Sequence, residues 1–279
     1  MKYSVIIPFA GDLALLTRAV HSIPDREDIQ IIIVDNGSPY TPVSDFPAME
    51  KAGMTLLTSE QGRGAGRARN VGLGSVAGSR VLFLDSDDYY LPGAFECFDR
   101  YCKQDFDIVF FKADSYNIED GSRSDRHEKM NSLVEEYIRK GNEDGLRYKF
   151  VNPVCKLFSA RFLKDSGELF EEITVSNDMM FSIRTGHIAK TITADSGIVY
   201  MISSAGEGGS LTKDKSSGNQ FIRYQTAIRQ YHFMETIGRD DLRFSLLSFV
   251  LHAFLDYGIP EGMKYIRYAI AEKVNIFVR

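Results

Sequence analysis

The chain has 279 residues, 44% apolar and 25% charged, which suits a soluble globular protein of one large domain or one domain with an appendage. Its net charge of 33 − 38 = −5 excludes nucleic-acid binding through bulk electrostatics. Cys97, Cys102 and Cys155 cannot all pair and match no zinc spacing, so they read as buried thiols in a reduced, cytoplasmic setting. Residues 4–7 predict a strand stopped by Pro8. Leu13, Leu16, Ala19, Val20 and Ile23 then recur at helical spacing, with Asp12 placed to cap the helix. Residues 29–34 form a continuous apolar run, as in a parallel strand covered on both faces. A short strand at 55–57, a helix over 66–77, a strand at 80–84, a helix opened by Pro92 and running to 101, and a strand at 108–111 follow. This alternation predicts an α/β layered sheet.

The middle is less regular. Residues 115–130 read as a polar loop, 133–139 and 160–164 as short helices, 178–187 as a helix, and 191–193 and 198–202 as strands. Residues 203–218 have the Ser, Gly, Lys and Asp content of a mobile loop. Three helices are expected near 219–236, 241–257 and 261–276. The apolar start at 1–8 is too short for a signal peptide, and no uncharged run is long enough to cross a bilayer. Residues 263–270 mix aromatic, apolar and basic side chains. Packing on the rest of the protein is the favoured reading of that helix, with peripheral membrane contact as the alternative.

Four segments carry the chemistry. Val34-Asp35-Asn36-Gly37-Ser38 places a carboxylate at a strand end, where it can accept from a base or a ribose hydroxyl; a plain turn is the alternative. The glycine- and arginine-rich stretch from Gly62 to Gly72 suits anion binding at a helix start, with Arg69 able to reach phosphate oxygens. Its spacing is G-x-G-x-G after the third strand, which argues against a dehydrogenase. In Phe83-Leu84-Asp85-Ser86-Asp87-Asp88 an apolar strand ends in carboxylates. Asp85 and Asp87, two apart, point the same way and suit a divalent cation and hence a diphosphate. In Asn177-Asp178-Met179 a carboxylate begins an apolar helix, with helix capping as the plain alternative.

Read together, these segments resemble the family 2 glycosyltransferases of the GT-A fold. The resemblance rests on Val5-Ile6-Ile7-Pro8, Asp35-Asn36-Gly37-Ser38, Ala68-Arg69-Asn70-Val71-Gly72 and the Asp85-Ser86-Asp87-Asp88 segment, and is close over residues 3–110. It continues more loosely through Lys156-Leu157-Phe158, Asn177-Asp178 and Gly209-Ser210-Leu211-Thr212. It implies a GT-A catalytic domain over 1–217, with a nucleotide-sugar half at 1–112 and an acceptor half at 113–217, and a helical extension at 218–279. It further implies an inverting enzyme of polysaccharide or glycan synthesis with a nucleotide-sugar donor, UDP being the expected nucleotide, and a saccharide or lipid-linked saccharide acceptor. Pro8, Asp35, Asn36, Ser38, Arg69, Asp85 and Ser86 would bind the donor, Asp87 with Asp85 would ligate Mn²⁺ or Mg²⁺, and Asp178 would be the general base. The loop at 203–218 could close over the donor and bring Lys213 and Lys215 to phosphate. Ala10, Gly62, Val154 or Cys155, and Asn177 depart from the family pattern, the last two on the acceptor side. A catalytically silent sugar-nucleotide-binding protein is the alternative. A nucleotidyltransferase is disfavoured because Phe9-Ala10-Gly11-Asp12 lacks the basic glycine-rich segment such enzymes carry.

Overall fold

The computed structural model describes residues 1–38, 51, 53–60, 64–204 and 214–277. The chain divides into two compact units, Met1–Glu172 with Asn177–Gly209 and Ile173–Ser176 with Ser210–Arg279. The larger unit is built on one eight-stranded sheet: β1 (Tyr3–Phe9), β2 (Ile29–Asp35), β3 (Met54–Thr58), β4 (Arg80–Phe83), β5 (Tyr89–Tyr90), β6 (Ile108–Asn117), β7 (Lys156–Ser159) and β8 (Ile192–Ser204). The order is β3-β2-β1-β4-β7-β6-β8-β5. β3, β2, β1 and β4 are mutually parallel, whereas β7 is antiparallel to both its neighbours and β5 is antiparallel to β8. β1 is buried along its whole length and β2 along all but its last residue, as continuous apolar runs covered on both faces should be.

The helices of this unit are α1 (Leu13–His21), α2 (Gly64–Leu73), α3 (Ala94–Asp99), α4 (Glu128–Lys140), α5 (Ala160–Ser166) and α6 (Met179–Ile188). Asp12 caps α1 by accepting from the Ala14 N–H at 2.7 Å. Pro8 does not stop β1, which continues through it to Phe9. The Ile6 carbonyl faces β4 and accepts from Leu84, so the polar groups of residue 8 point to that same side, where β4 has already ended. The N–H that proline lacks would have had no strand partner there. The segment at 115–130 is not one loop: β6 runs on to Asn117 and α4 begins at Glu128. β8 replaces the two short strands expected at 191–202 and takes in Ser203 and Ser204. β5 and β7, of two and four residues, are too short to show a period in sequence.

The smaller unit holds α7 (Ser217–Thr236), α8 (Leu247–Tyr257) and α9 (Ile259–Ala271) around a core that includes Tyr224, Ile228, Tyr231, Val250 and Tyr265. α8 starts six residues later than expected, after a 3₁₀ turn at Asp240–Leu242. α9 starts earlier than expected, with Pro260 in its first turn, a position where its missing N–H costs nothing. Tyr265 and Ala269 of α9 face the core, and Lys264 lies 4.2 Å over the Phe221 ring and pairs with Glu261. These contacts give Lys264 a packing role. Among the described residues no helix is long and apolar enough to cross a membrane.

Candidate functional site

Because β1, β2 and β4 run parallel, their C-terminal ends share one edge, and the strand order reverses about β1. Ligands of open α/β sheets bind at such a reversal. Asp35 is the last residue of β2, in register with Phe9 and Thr58. Its Oδ1 accepts from the Ser38 N–H at 2.8 Å, while the Asn36 N–H donates to the Phe9 carbonyl at 2.7 Å and Ser59 Oγ donates to Asn36 Oδ1 at 2.9 Å. The Asp35–Ser38 turn is thus tied to β1 and to the end of β3, beside buried Pro8.

Past β4 the chain turns, with the Asp88 N–H donating to the Asp85 carbonyl at 3.0 Å. The carboxylates of this turn take three different environments. Asp85 receives Arg69 Nη2 at 2.6 Å. Asp88 turns inward, is 5% exposed and accepts the Ser203 N–H at 2.7 Å, so it anchors the turn to β8. Asp87 and Ser86 remain half-buried between them. Burial and then the Asp85 charge raise the Asp87 carboxyl above its ordinary pKa. Arg18 of α1 clamps the same turn: its Nη2 donates to the Asp87 carbonyl at 2.5 Å and to Ser203 Oγ at 2.9 Å, and its guanidinium lies 4.8 Å from the Tyr89 ring centroid.

Arg69 is 5% exposed and ties the turn after β4 to the segment before α6, since its Nη1 also donates to Asn177 Oδ1 at 2.9 Å. Burial opposes its charge, and Asp85 and Asp178 more than offset that cost, leaving its pKa raised. Asp178, half-buried, precedes α6, and its side chain makes no capping bond to the helix, so the capping alternative does not describe it. Burial raises its pKa, Arg69 opposes this, Asp85 adds to it and Lys156 opposes it. Lys156 of β7 is 1% exposed, donates to the Phe150 carbonyl at 2.8 Å and sits 5.2 and 5.0 Å from the rings of Phe110 and Phe150. Burial pushes its pKa down to about 7. Asp85 therefore acts electrostatically on Asp87, Asp178 and Arg69, and Asp35 leaves the same sheet edge.

Gly66 and Gly72 of α2 serve packing. A Cβ on Gly66 would lie 2.1 Å from the Glu171 carbonyl oxygen and 3.0 Å from Asn177 Cβ, and one on Gly72 would lie 2.6 Å from Ile6 Cγ2. Gly66 thereby lets the segment carrying Asn177 and Asp178 approach α2. Gly62, the Gly209–Thr212 motif and Lys213 lie outside the described residues, and Lys215 belongs to the smaller unit. Among the described residues no three His, Cys, Asp or Glu side chains gather as a metal site. The donor set nevertheless fits a divalent ion that a diphosphate completes, because Asp85 and Asp87 offer two hard oxygen ligands whose mutual repulsion a cation would relieve. Sequence reasoning missed Arg18, and it met Lys156 only within the looser Lys156-Leu157-Phe158 resemblance, without a role. An arginine on an amphipathic helix has no motif, and only the 69- and 185-residue separations bridged by Arg18 reveal its contacts.

The sequence profile described as glycosyl transferase family 2 matches residues 4–167. Glycosyltransferase GlyG of Streptococcus pneumoniae is 26% identical over 185 residues, covering 64% of this chain and 61% of that one. Poly(ribitol-phosphate) beta-N-acetylglucosaminyltransferase TarS of Staphylococcus aureus is 24% identical over 240 residues, covering 82% of this chain and 40% of that one. The chain thus spans about three-fifths or less of the length of these curated relatives. The crystal structure of TarS residues 1–349 with UDP-GlcNAc superposes with a TM-score of 0.73 at 19% identity, covering 98% of this chain and 80% of that one. The mannosyltransferase PcManGT of Pyrobaculum calidifontis, solved with GDP-Man and Mn²⁺, superposes with a TM-score of 0.57 at 15% identity, covering 97% and 75%. These likenesses establish the fold.

Proposed function

The chain belongs to glycosyl transferase family 2 and has the GT-A fold, and from that premise we propose that it moves a sugar from a UDP-linked donor to a hydroxyl of a saccharide or lipid-linked saccharide, with inversion, in polysaccharide or glycan synthesis. The observation that carries the reading is the Asp85–Arg69–Asn177 bridge, which sets half-buried, non-capping Asp178 beside the aspartate turn. The UDP-GlcNAc complex of TarS, on the same fold, supports the donor class. The nucleotide-sugar half would lie in 1–112 and the acceptor half in 113–217.

Asp35, with Pro8, Asn36 and Ser38, holds the nucleobase at the end of β2, and Asp85 and Ser86 face the ribose. Arg69 holds Asp85 in place and directs positive charge toward the diphosphate. Asp87 and Asp85 would hold Mn²⁺ or Mg²⁺, which when bound supplies charge to the leaving diphosphate; the Mn²⁺ in PcManGT supports the use of a divalent metal on this fold. Asp178 accepts the proton of the attacking hydroxyl, and its raised pKa makes it the stronger base. One displacement from the face opposite the leaving group inverts the anomeric carbon. Asn177 stands where the family carries Glu, and it serves as the acceptor that orients Arg69.

UDP release from UDP-sugars with Mn²⁺ tests the reading, with Asp87→Ala and Asp178→Ala as variants. Asp87→Ala should weaken metal-dependent donor binding. Asp178→Ala should retain donor affinity and lose transfer by about 10²–10⁴-fold, the usual worth of a general base. Equal loss of donor binding in Asp178→Ala would overturn the base assignment. UDP binding without turnover across broad donor and acceptor panels would replace the enzyme by a silent binding protein.

A further inference from the structure

Ser203, near the end of β8, gathers two arginines beside the aspartate turn. It is 1% exposed, and each of its polar groups is engaged. The N–H donates to Asp88 Oδ1 at 2.7 Å, Oγ accepts Arg18 Nη2 at 2.9 Å, and the carbonyl accepts Arg126 Nη1 at 3.3 Å. Arg18 arrives from α1, and Arg126 from the segment before α4, in the half proposed to bind acceptor. Both charges oppose the rise in the Asp87 pKa. Among the described residues neither guanidinium forms an ion pair with a carboxylate. The neighbouring acids are engaged elsewhere: Asp85 by Arg69 at 2.6 Å, Asp88 by the Ser203 N–H, and Asp114 by the Ser115 N–H at 2.8 Å and Arg123 Nε at 3.6 Å. Asp87 is left to face both positive charges, and the proposed cation would claim it as well.

The two arginines differ in what they offer a ligand. Arg18 is spent on the protein: Nη1 donates to the Tyr116 hydroxyl, Nη2 to the Asp87 carbonyl and Ser203 Oγ, and the rings of Tyr89 and Tyr116 lie 4.8 and 5.9 Å from its guanidinium. Arg126 is exposed and gives one side-chain N–H to the protein, so most of its five-donor fork remains available. Such a fork, steadied by one contact and backed by a second fixed positive charge, suits an oxyanion, whose oxygens take charge-assisted bonds. A neutral sugar needs acceptors as well as donors, and a guanidinium has none. The donor diphosphate already has Arg69 and the proposed cation. Arg69 reaches the turn through Asp85, whereas Arg18 and Arg126 reach it through Asp87 and Ser203.

We propose that Arg126, backed by Arg18, binds a phosphate group of the acceptor, so that the saccharide on which the enzyme acts carries phosphate, as a phosphodiester within a polymer or as the pyrophosphate of a lipid-linked chain. That the phosphate belongs to an acceptor rests on the glycosyltransferase reading, whereas the anion site rests on the two arginines. Isothermal titration calorimetry on the full chain, in buffer saturated with UDP and Mn²⁺ to fill the donor site, tests it. The probes are glycerophosphoglycerol for the phosphodiester, geranyl diphosphate for the lipid pyrophosphate, and glycerol as the neutral control. Wild-type protein is expected to bind at least one phosphate probe and not glycerol, and the probe that binds identifies the source. Arg126→Gln keeps an N–H donor but no charge and should bind that probe about tenfold more weakly; Arg126→Glu should abolish binding. UDP affinity should be the same in all three proteins, and their melting temperatures should be close, because Arg126 is exposed. No phosphate probe bound by wild type, or undiminished binding in Arg126→Glu, overturns the site. Equal loss of UDP and probe affinity in Arg126→Gln would assign the arginines to the donor diphosphate and overturn the acceptor assignment. Failure of wild type to bind UDP would count against the catalytic reading alone, and the same probes titrated without UDP would still decide the anion site.

Discussion

For Asp178, the proposed base, the environment sets a pH dependence. Burial raises its carboxyl above the ordinary 3.8, and Lys156 is among the charges that oppose the rise. The base works only when ionised, so the rate should fall as pH drops through this raised value, and the acid limb of kcat should lie above 3.8. Lys156→Met removes an opposing positive charge and should move that limb further upward; an unmoved limb would show that Lys156 does not act on Asp178. Arg18 makes a different prediction. It holds the Asp87 carbonyl and Ser203 in one geometry, so Arg18→Ala should raise the donor KM by about tenfold, the worth of one or two charge-assisted bonds. Arg18→Lys should not restore it, because an ammonium cannot reproduce the planar fork. Recovery in the lysine variant would reduce Arg18 to a point charge.

At the scale of elements, α2 holds the site together by approaching its neighbours closely. The missing Cβ of Gly66 admits the Glu171 backbone and that of Gly72 admits Ile6. Gly66→Ala must displace a backbone carbonyl and should destabilise the protein by about 1–3 kcal/mol, the usual cost of overpacking. The readouts are a lower urea midpoint and a transfer defect larger than the donor-binding defect, because Asn177 and Asp178 move with that segment. A variant of unchanged midpoint would mean the segment shifts freely. The aspartate turn is likewise a product of its neighbours: Asp88 and Arg18 fasten it to β8 and α1, and the local sequence could as well have made an acidic helix cap.

Over the whole molecule the two ends of the sheet answer pH in opposite directions. At the ligand edge, burial raises the carboxyls of Asp87, Asp88 and Asp178. Their folded pKa values exceed the unfolded ones, so their contribution to stability falls as pH rises between the two and is a cost at neutral pH. Asp87→Asn should therefore melt higher than wild type, by about 2–4 °C per kcal/mol relieved, while losing metal-dependent turnover; a lower Tm would refute the stored repulsion. At the far end Arg26, then Lys2, holds Asp99 and Asp28 below the usual carboxylate range. Their stabilisation is present above the unfolded carboxylate pKa and fades as pH falls toward the folded values, modestly, since both carboxylates are about one-third exposed. In Arg26→Ala the Tm deficit relative to wild type should shrink in acid. The sequence by itself determined the parallel half of the sheet, because fully buried strands must be apolar throughout and their ends must then carry Asp35 and Asp85. It also singled out Arg69 and Asp178 as candidates through the order and spacing of short motifs. Tertiary structure alone decided that β6 and β8 pair with the two- and four-residue strands β5 and β7, that Asp88 points inward while Asp87 does not, and that Arg18 reaches the aspartate turn. Those outcomes depend on contacts between residues far apart in the chain, and a local sequence period reports only which side of its own element a residue faces.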